Sequence, residues 1–228
     1  MALICRQDKE NIHGKNMIKH LLVSITLLFS ISTHAHEFSW DNLMLAHSKL
    51  DTAFDYEVMV DGYMKLYRAP VWKRYKSDEF ELEDKRQETI VMMKERIKSF
   101  DLDDEFILRT SIDFEQYDFK KEEFPLTKLG SNSYFYKNNS NTYGSGFQRT
   151  YKVHFENTEI FGNLAMAKSD AKEFVQKKKT SSGRVKRLLP MEIKFIVIGK
   201  SGEGDLKAVI IEVNVFDTDN ATLLTTFK

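Results

Sequence analysis

The 228-residue sequence predicts an α+β fold: an N-terminal helical layer packed on a mainly antiparallel sheet of about five or six strands, with one inserted helix. Three observations carry that prediction. Apolar residues recur at three- to four-residue spacing up to Phe100 and at two-residue spacing after Asp104. Glycine changes at the same place, since Gly62 stands alone between His36 and Leu129 while eight glycines follow. Finally, two apolar runs, 191–198 and 206–216, flank a segment holding Gly199, Gly202 and Gly204, as the strands of a hairpin flank its turn.

The first helix follows Ser39, a suitable N-cap, and runs through Leu43, Leu45, Ala46 and Leu50. A second is expected from about 52 to 67, with Phe54, Val58 and Met59 on one stripe and Tyr56, Val60, Tyr63 and Tyr67 on another. Pro70 is expected to stop it. A third is marked by Asp78 and Glu81, spaced as a capping box. Its stripe is Ile90, Met93, Ile97 and Phe100, and Lys85, Arg86, Glu88, Lys94 and Glu95 stay in water.

Strand periodicity follows at Phe106, Leu108, Thr110, Ile112 and Phe114, and again at Phe147, Arg149, Tyr151, Val153 and Phe155. A short strand is expected at 159–161. Ser169 or Asp170 is positioned to cap a helix through Phe174 and Val175, closed by a basic loop of Lys177, Lys178, Lys179 and Arg184. In the last hairpin Val209, Ile211, Val213 and Val215 alternate, and Leu206, Ala208 and Ile210 add a second apolar face. A central strand follows, with Phe195, Val197, Ile211 and Val213 in the core. Residues 223–227 add an edge strand, and 130–146 reads as a long loop pinned by Tyr134, Phe135 and Tyr136.

The chain's start has a different grammar. From Met17, the expected start, Lys19 precedes an uncharged run at 21–32, and small residues Thr33 and Ala35 precede His36. That order is a secretory signal peptide cleaved between Ala35 and His36, and the run is too short for a spanning helix of about 20 residues. The expected organisation is a leader at 1–35 and one α+β domain at 36–228, helical over 36–100 and sheet over 104–228. Cleavage leaves 193 residues with 30 basic and 32 acidic side chains. It also removes Cys5, the sole cysteine, so the product lacks thiols and disulfides. The expected location is periplasmic or secreted, with no transmembrane segment in the mature chain. Its near-neutral charge gives no reason to expect nucleic acid.

Signatures of catalysis are absent from the sequence. There is no G-x-S-x-G elbow, no H-E-x-x-H and no Gly-rich phosphate loop ending in Lys-Ser/Thr. After His36 only His47 and His154 remain, on a helix and on the polar side of a strand. Asp101, Asp103 and Asp104, like Asp217 and Asp219, lack the glycine and distal Glu of a calcium loop. No catalytic residue, metal or cofactor is therefore assigned. Carboxylates concentrate between Asp101 and Glu123, and basic residues between Lys172 and Arg187.

The least generic segment is 67–80, where Tyr67, Arg68, Trp72, Arg74 and Phe80 interleave aromatic and basic groups across a proline. Two roles are open to it. Tyr67, Trp72 and Phe80 can plug the seam between helices while the basic heads reach water. Alternatively, Tyr67, Arg68, Trp72 and Arg74 can bind an envelope protein, a glycan or a lipid headgroup by stacking and charge. With its Ser77-Asp78-Glu79-Phe80 sequence and the following amphipathic helix, the 67–97 stretch, together with the 191–216 hairpin, resembles uncharacterised exported bacterial domains of unknown function. That resemblance implies an envelope location and no specific activity. The expected function is a non-catalytic binding or interaction module. The alternatives are a small periplasmic hydrolase using carboxylates, or a lipid-binding protein.

Overall fold

The computed structural model describes residues 35–130, 132–218 and 222–228, so the predicted leader up to residue 34 lies outside the described residues. Helix α1 (Trp40–Leu50) begins as its cap dictates, with Ser39 Oγ accepting the Asn42 N–H at 3.2 Å. Helix α2 (Tyr56–Tyr67) starts four residues later than expected. Asp51 instead turns the chain by accepting the Ala53 N–H, and Asp55 then accepts from Glu57 and Val58. Helix α2 ends at Tyr67 as expected, yet Pro70 does not end the helical region. It sits in the first turn of a further helix, α3 (Ala69–Tyr75), where a missing N–H costs no intrahelical bond. Helix α4 (Glu79–Ser99) is capped by Asp78 and buries Leu82, Ile90, Met93 and Ile97, with Thr89 among them.

The strands are β1 (His36–Glu37), β2 (Phe106–Asp113), β3 (Glu123–Phe124), β4 (Tyr134–Asn138), β5 (Thr150–Phe155), β6 (Leu164–Ala165), β7 (Leu188–Gly202), β8 (Asp205–Phe216) and β9 (Leu223–Phe227). Helix α5 (Lys168–Lys177) is the inserted one; Ala167 occupies its N-cap, and Ser169 bonds Asp170 instead of capping. The fold is α+β, and its main sheet has seven strands instead of five or six. Their order is β1-β2-β7-β8-β5-β4, with β9 also paired to β8. Pairing is mostly antiparallel; β1–β2 and β5–β8 are the parallel pairs. The extra strands are ones whose pattern is weak. Two-residue β1 lies in the part expected to be helical, and β4 lies in the expected long loop. The short strand expected at 159–161 is a 3-10 turn, Thr158–Ile160, and the small ribbon is made instead by β3 and β6.

Strand β8 corrects the two-faced pattern. Lys194 pairs with Glu212 but Phe195 pairs with Ile210, so Ile211 is an extra residue in a β-bulge. The bulge shifts the phase, and Leu206, Ala208, Ile210, Val213 and Val215 all point into the core. Ile211, expected in the core, is 37% exposed. The strand is central, because β5 and β9 divide its second edge. Between them the Asn157 amide donates to the Ile210 carbonyl and accepts the Ile210 N–H, bridging the break like a strand residue.

Phe195 is the hub of the core, stacked on Phe106 at 5.2 Å and met edge-on by Phe155 at 5.2 Å and Phe38 at 6.1 Å. From α1, Trp40 reaches Tyr151 at 5.5 Å and donates its indole N–H to the Gln148 carbonyl. Phe114, Phe124 and Phe174 form a further aromatic group under α5. Each fully buried ring contributes about 2–3 kcal/mol of transfer free energy.

Candidate functional site

Four residues of the aromatic-basic segment were singled out by their chemistry, and the helix junction separates them. Tyr67 turns inward, and its hydroxyl donates to Asp41 of α1. The Arg96 guanidinium of α4 lies 4.6 Å above its ring and donates to the Tyr63 hydroxyl. Burial, reinforced by Asp41, pushes the Tyr67 hydroxyl well above the ordinary tyrosine range, so it stays a neutral donor. Arg68, between α2 and α3, also turns inward. It donates to the Thr89 hydroxyl at 2.6 Å and to Glu88 at 2.8 Å, and its side chain is 14% exposed. The expectation that its head stays in water is corrected. Its partners lie 20 and 21 residues away on α4, beyond any local pattern.

Trp72 and Arg74 stay at the surface. Trp72 is half-buried against the core with the Lys65 ammonium 4.9 Å over its ring, and exposed Arg74 lies 5.2 Å from the Tyr75 ring. Phe80, expected to plug the seam, is 80% exposed. His36, the residue after the expected cleavage, starts β1. Its N–H donates to the Glu105 carbonyl, and its ring stacks on Phe100 at 4.2 Å.

A cleft of about 280 Å³ collects residues the sequence leaves far apart. His47 and Asp51 come from the end of α1, Phe54 and Asp55 from the loop before α2, Phe147 and Tyr151 from β5 and its approach, and Glu203 from the β7–β8 turn. One wall exists because of Gly62. A Cβ there would stand 1.6 Å from the Ser145 carbonyl oxygen, so only glycine lets the Gly144–Gly146 turn lie directly on α2. Gly62 was legible as the lone glycine of the first half, but nothing local to it names Ser145.

Apart from exposed Glu203, the titratable groups of the cleft's rim are engaged by the fold. His47 Nε2 lies 3.2 Å from both the Gly204 N–H and the Gly202 carbonyl. Burial pulls its pKa below the ordinary value, and the neutral ring accepts the Gly204 N–H. Asp51 contacts Lys200 at 2.6 Å, and that bond holds its carboxyl below the usual range. Asp55 caps α2. Ser48 donates to Met44 Sδ, away from His47. A second, open concavity of about 650 Å³ lies over β8 and β9, lined by Glu212, Asn214 and Lys228 among others. Among the described residues no three His, Cys, Asp or Glu side chains are grouped to hold a metal ion, and no helix is long and apolar enough to cross a membrane.

Among the described residues, five α-helices and a seven-stranded, mostly antiparallel sheet thus define an α+β protein, and both the cleft and the concavity over β8 and β9 are open. Residues 55–177 match the model of the family described as Domain of unknown function (DUF4852), and the chain belongs to that family. The match includes the whole 67–97 stretch, while the β7–β8 hairpin lies beyond it. No curated protein and no solved structure matches the chain.

Proposed function

We propose that the chain is exported, cleaved between Ala35 and His36, and acts in the periplasm or outside the cell as a non-catalytic binding module. In this reading residues 36–228 are one α+β domain in which α1–α4 form a layer over the sheet. Support comes from the uncharged run behind Lys19, and from the contacts His36 makes as the first residue of β1. The observation that carries the non-catalytic reading is the engagement of His47, Asp51 and Asp55 in structural bonds, which commits three of the cleft's titratable groups to holding the fold. Binding falls to Trp72 and Arg74, the two of the four singled-out residues that stay at the surface, with Lys65 over the Trp72 ring. Tyr67 and Arg68 then serve as positioning residues that fix the junction on which Trp72 stands. A glycan, a lipid headgroup or an envelope protein fits that combination of ring and cations.

One observation favours a hydrolase as the second reading: a neutral His47 shares the cleft with Glu203, an exposed carboxylate on the hairpin turn. Lipid enclosure has less support, because both concavities are open and carry charged side chains.

The test is recovery of the protein from its native envelope. Its intact mass is expected to begin at His36, and a mass retaining residues 17–35 contradicts cleavage. Native mass spectrometry is expected to find a partner that both Trp72→Ala and Arg74→Ala lose. Being half-buried, Trp72→Ala is expected to cost about 1–3 kcal/mol of stability, less than the 3–5 of a fully buried ring. Turnover of chromogenic esters or glycosides that disappears in Glu203→Gln would support the hydrolase instead.

A further inference from the structure

Strand β4 ends the main sheet, and no described strand pairs with its outer edge. Which of its backbone groups face outward follows from the hydrogen-bond alternation of antiparallel strands. Asn139 N–H donates to the Arg149 carbonyl, so Asn139 and Arg149 form a bonded pair in the β4–β5 register. Stepping by two, Lys137–Tyr151 and Phe135–Val153 are bonded pairs as well. The other side of β5 agrees, since the N–H groups of Lys152 and Glu156 point to Gly204 and Ala208, toward β8. The N–H and C=O groups of Tyr134, Tyr136 and Asn138 therefore all point off the free edge.

Edge strands in soluble proteins are usually blunted by proline, a bulge or inward-pointing charge. This one reads Tyr-Phe-Tyr-Lys-Asn, pairs with β5 in unbroken register and has no proline, so Lys137 is the single blunting charge it carries. Tyr134 and Tyr136 are exposed on the sheet face opposite the core, their rings 6.3 Å apart, with His154 5.4 Å from Tyr134. Lys137 points to the other face, its ammonium 5.4 Å from the Phe38 ring, and Arg149 is exposed one strand inward. Among the described residues neither cation has an acidic partner. On the tyrosine face the carboxylates are already engaged, Asp205 with Lys152 and His154, and Glu156 with Lys207.

From this edge we infer that β4 is a docking strip for an extended acidic peptide segment, which adds as an eighth strand to the main sheet. Such a segment alternates. Apolar or aromatic side chains on one face lie against Tyr134 and Tyr136, and carboxylates on the other meet Lys137 and the field of Arg149. Charge selects this occupant over a second copy of the chain, which would bring two Lys137 and two Arg149 side chains into one seam. The site is separate from the cleft and from Trp72, so it stands or falls independently of the proposed function.

The probe is the peptide acetyl-Glu-Val-Glu-Tyr-Glu-Val-Glu-amide, with a matched peptide carrying Lys at every Glu position. Fluorescence anisotropy is to report binding to the purified chain, and amide hydrogen exchange its location. Binding of the Glu peptide is expected to slow exchange at Tyr134, Tyr136 and Asn138 and to weaken as salt rises. Tyr136→Pro removes an outward N–H that β5 does not use, so the ladder survives and affinity is expected to drop about tenfold or more. The double variant Lys137→Glu, Arg149→Glu is expected to invert the preference toward the Lys peptide. That inversion decides the matter should Tyr136→Pro melt below wild type. Equal affinity for the two peptides, unchanged exchange at the three amides, or wild-type binding by a folded Tyr136→Pro overturns the proposal. So does sedimentation showing that the same edge pairs two copies of the chain.

Discussion

Gly62 shows how one missing side chain shapes this molecule. It lies in the interior of α2, where alanine is the better helix former by about 1 kcal/mol. Yet a Cβ at 62 would overlap the Ser145 carbonyl, which is backbone and cannot swing aside. Ser145 is itself buried, its hydroxyl donating to the Thr142 carbonyl and accepting the Phe147 N–H, so the turn is held from both sides. Gly62→Ala is therefore expected to lower stability by about 1–3 kcal/mol despite the gain in helix propensity. Urea denaturation measures it. A variant more stable than wild type would mean that the 144–146 turn does not rest on α2, and that the cleft lacks the wall described for it. Tyr67 and Arg68 teach the same lesson from the polar side. Their roles are set by Asp41, Thr89 and Glu88, and each partner belongs to another helix.

Among the elements, β8 makes the sharpest test, because Val213 and Ile211 are both β-branched and only two residues apart. The bulge gives them opposite fates: Val213 is fully buried and Ile211 looks outward. Val213→Asp places an unpaired carboxylate in the core, which costs several kcal/mol against a total stability of about 5–15. Ile211→Asp is expected to stay within about 1 kcal/mol of wild type. Similar thermal melting of the two variants would remove the bulge from the register. The helices were legible because caps and 3.6-residue stripes are local, as Ser39 and Asp78 show. The long strands were legible too, by their two-residue period. What could not be read was whatever a distant partner decides: β1, held by β2, β4, held by β5, and the phase slip at Ile211; the short helix α3, which opens at the proline expected only to stop α2, was missed as well. Of the segment singled out by its chemistry, the sequence could not tell that Tyr67 and Arg68 turn inward while Arg74 stays exposed and Trp72 half-buried, and the cleft was unreadable because three separated segments build it.

Across the whole molecule, 34 basic and 34 acidic side chains cancel, so electrostatics acts through local pairs and not through a net field. Many of those pairs cross strands: Arg109 with Glu192 at 3.1 Å, Lys194 with Glu212 at 2.8 Å, and Lys228 with Glu212 at 3.0 Å. Arg109 is half exposed, and such pairs contribute little. Glu212 differs, because its side chain is only 15% exposed and binds Lys194 and Lys228 while accepting from Asn214. The Lys194 bond, followed by those from Asn214 and Lys228, pulls its pKa from 4.5 down to about 2. A carboxyl whose pKa is lower folded than unfolded favours folding when ionised. Its stabilisation is therefore complete above about pH 4.5, and it is lost progressively as pH falls toward 2. Glu212→Gln removes that dependence and keeps the side chain's size. At pH 7 the variant is expected to be less stable by about 1–2 kcal/mol, since it gives up charge-assisted bonds to two lysines. The deficit should shrink between pH 4.5 and 2, where wild-type Glu212 becomes protonated as well. Urea denaturation of both proteins at pH 7, 4 and 2.5 follows that convergence. A deficit that stays constant across the three would mean that the ionisation of Glu212 is not what ties β7, β8 and the end of β9 together.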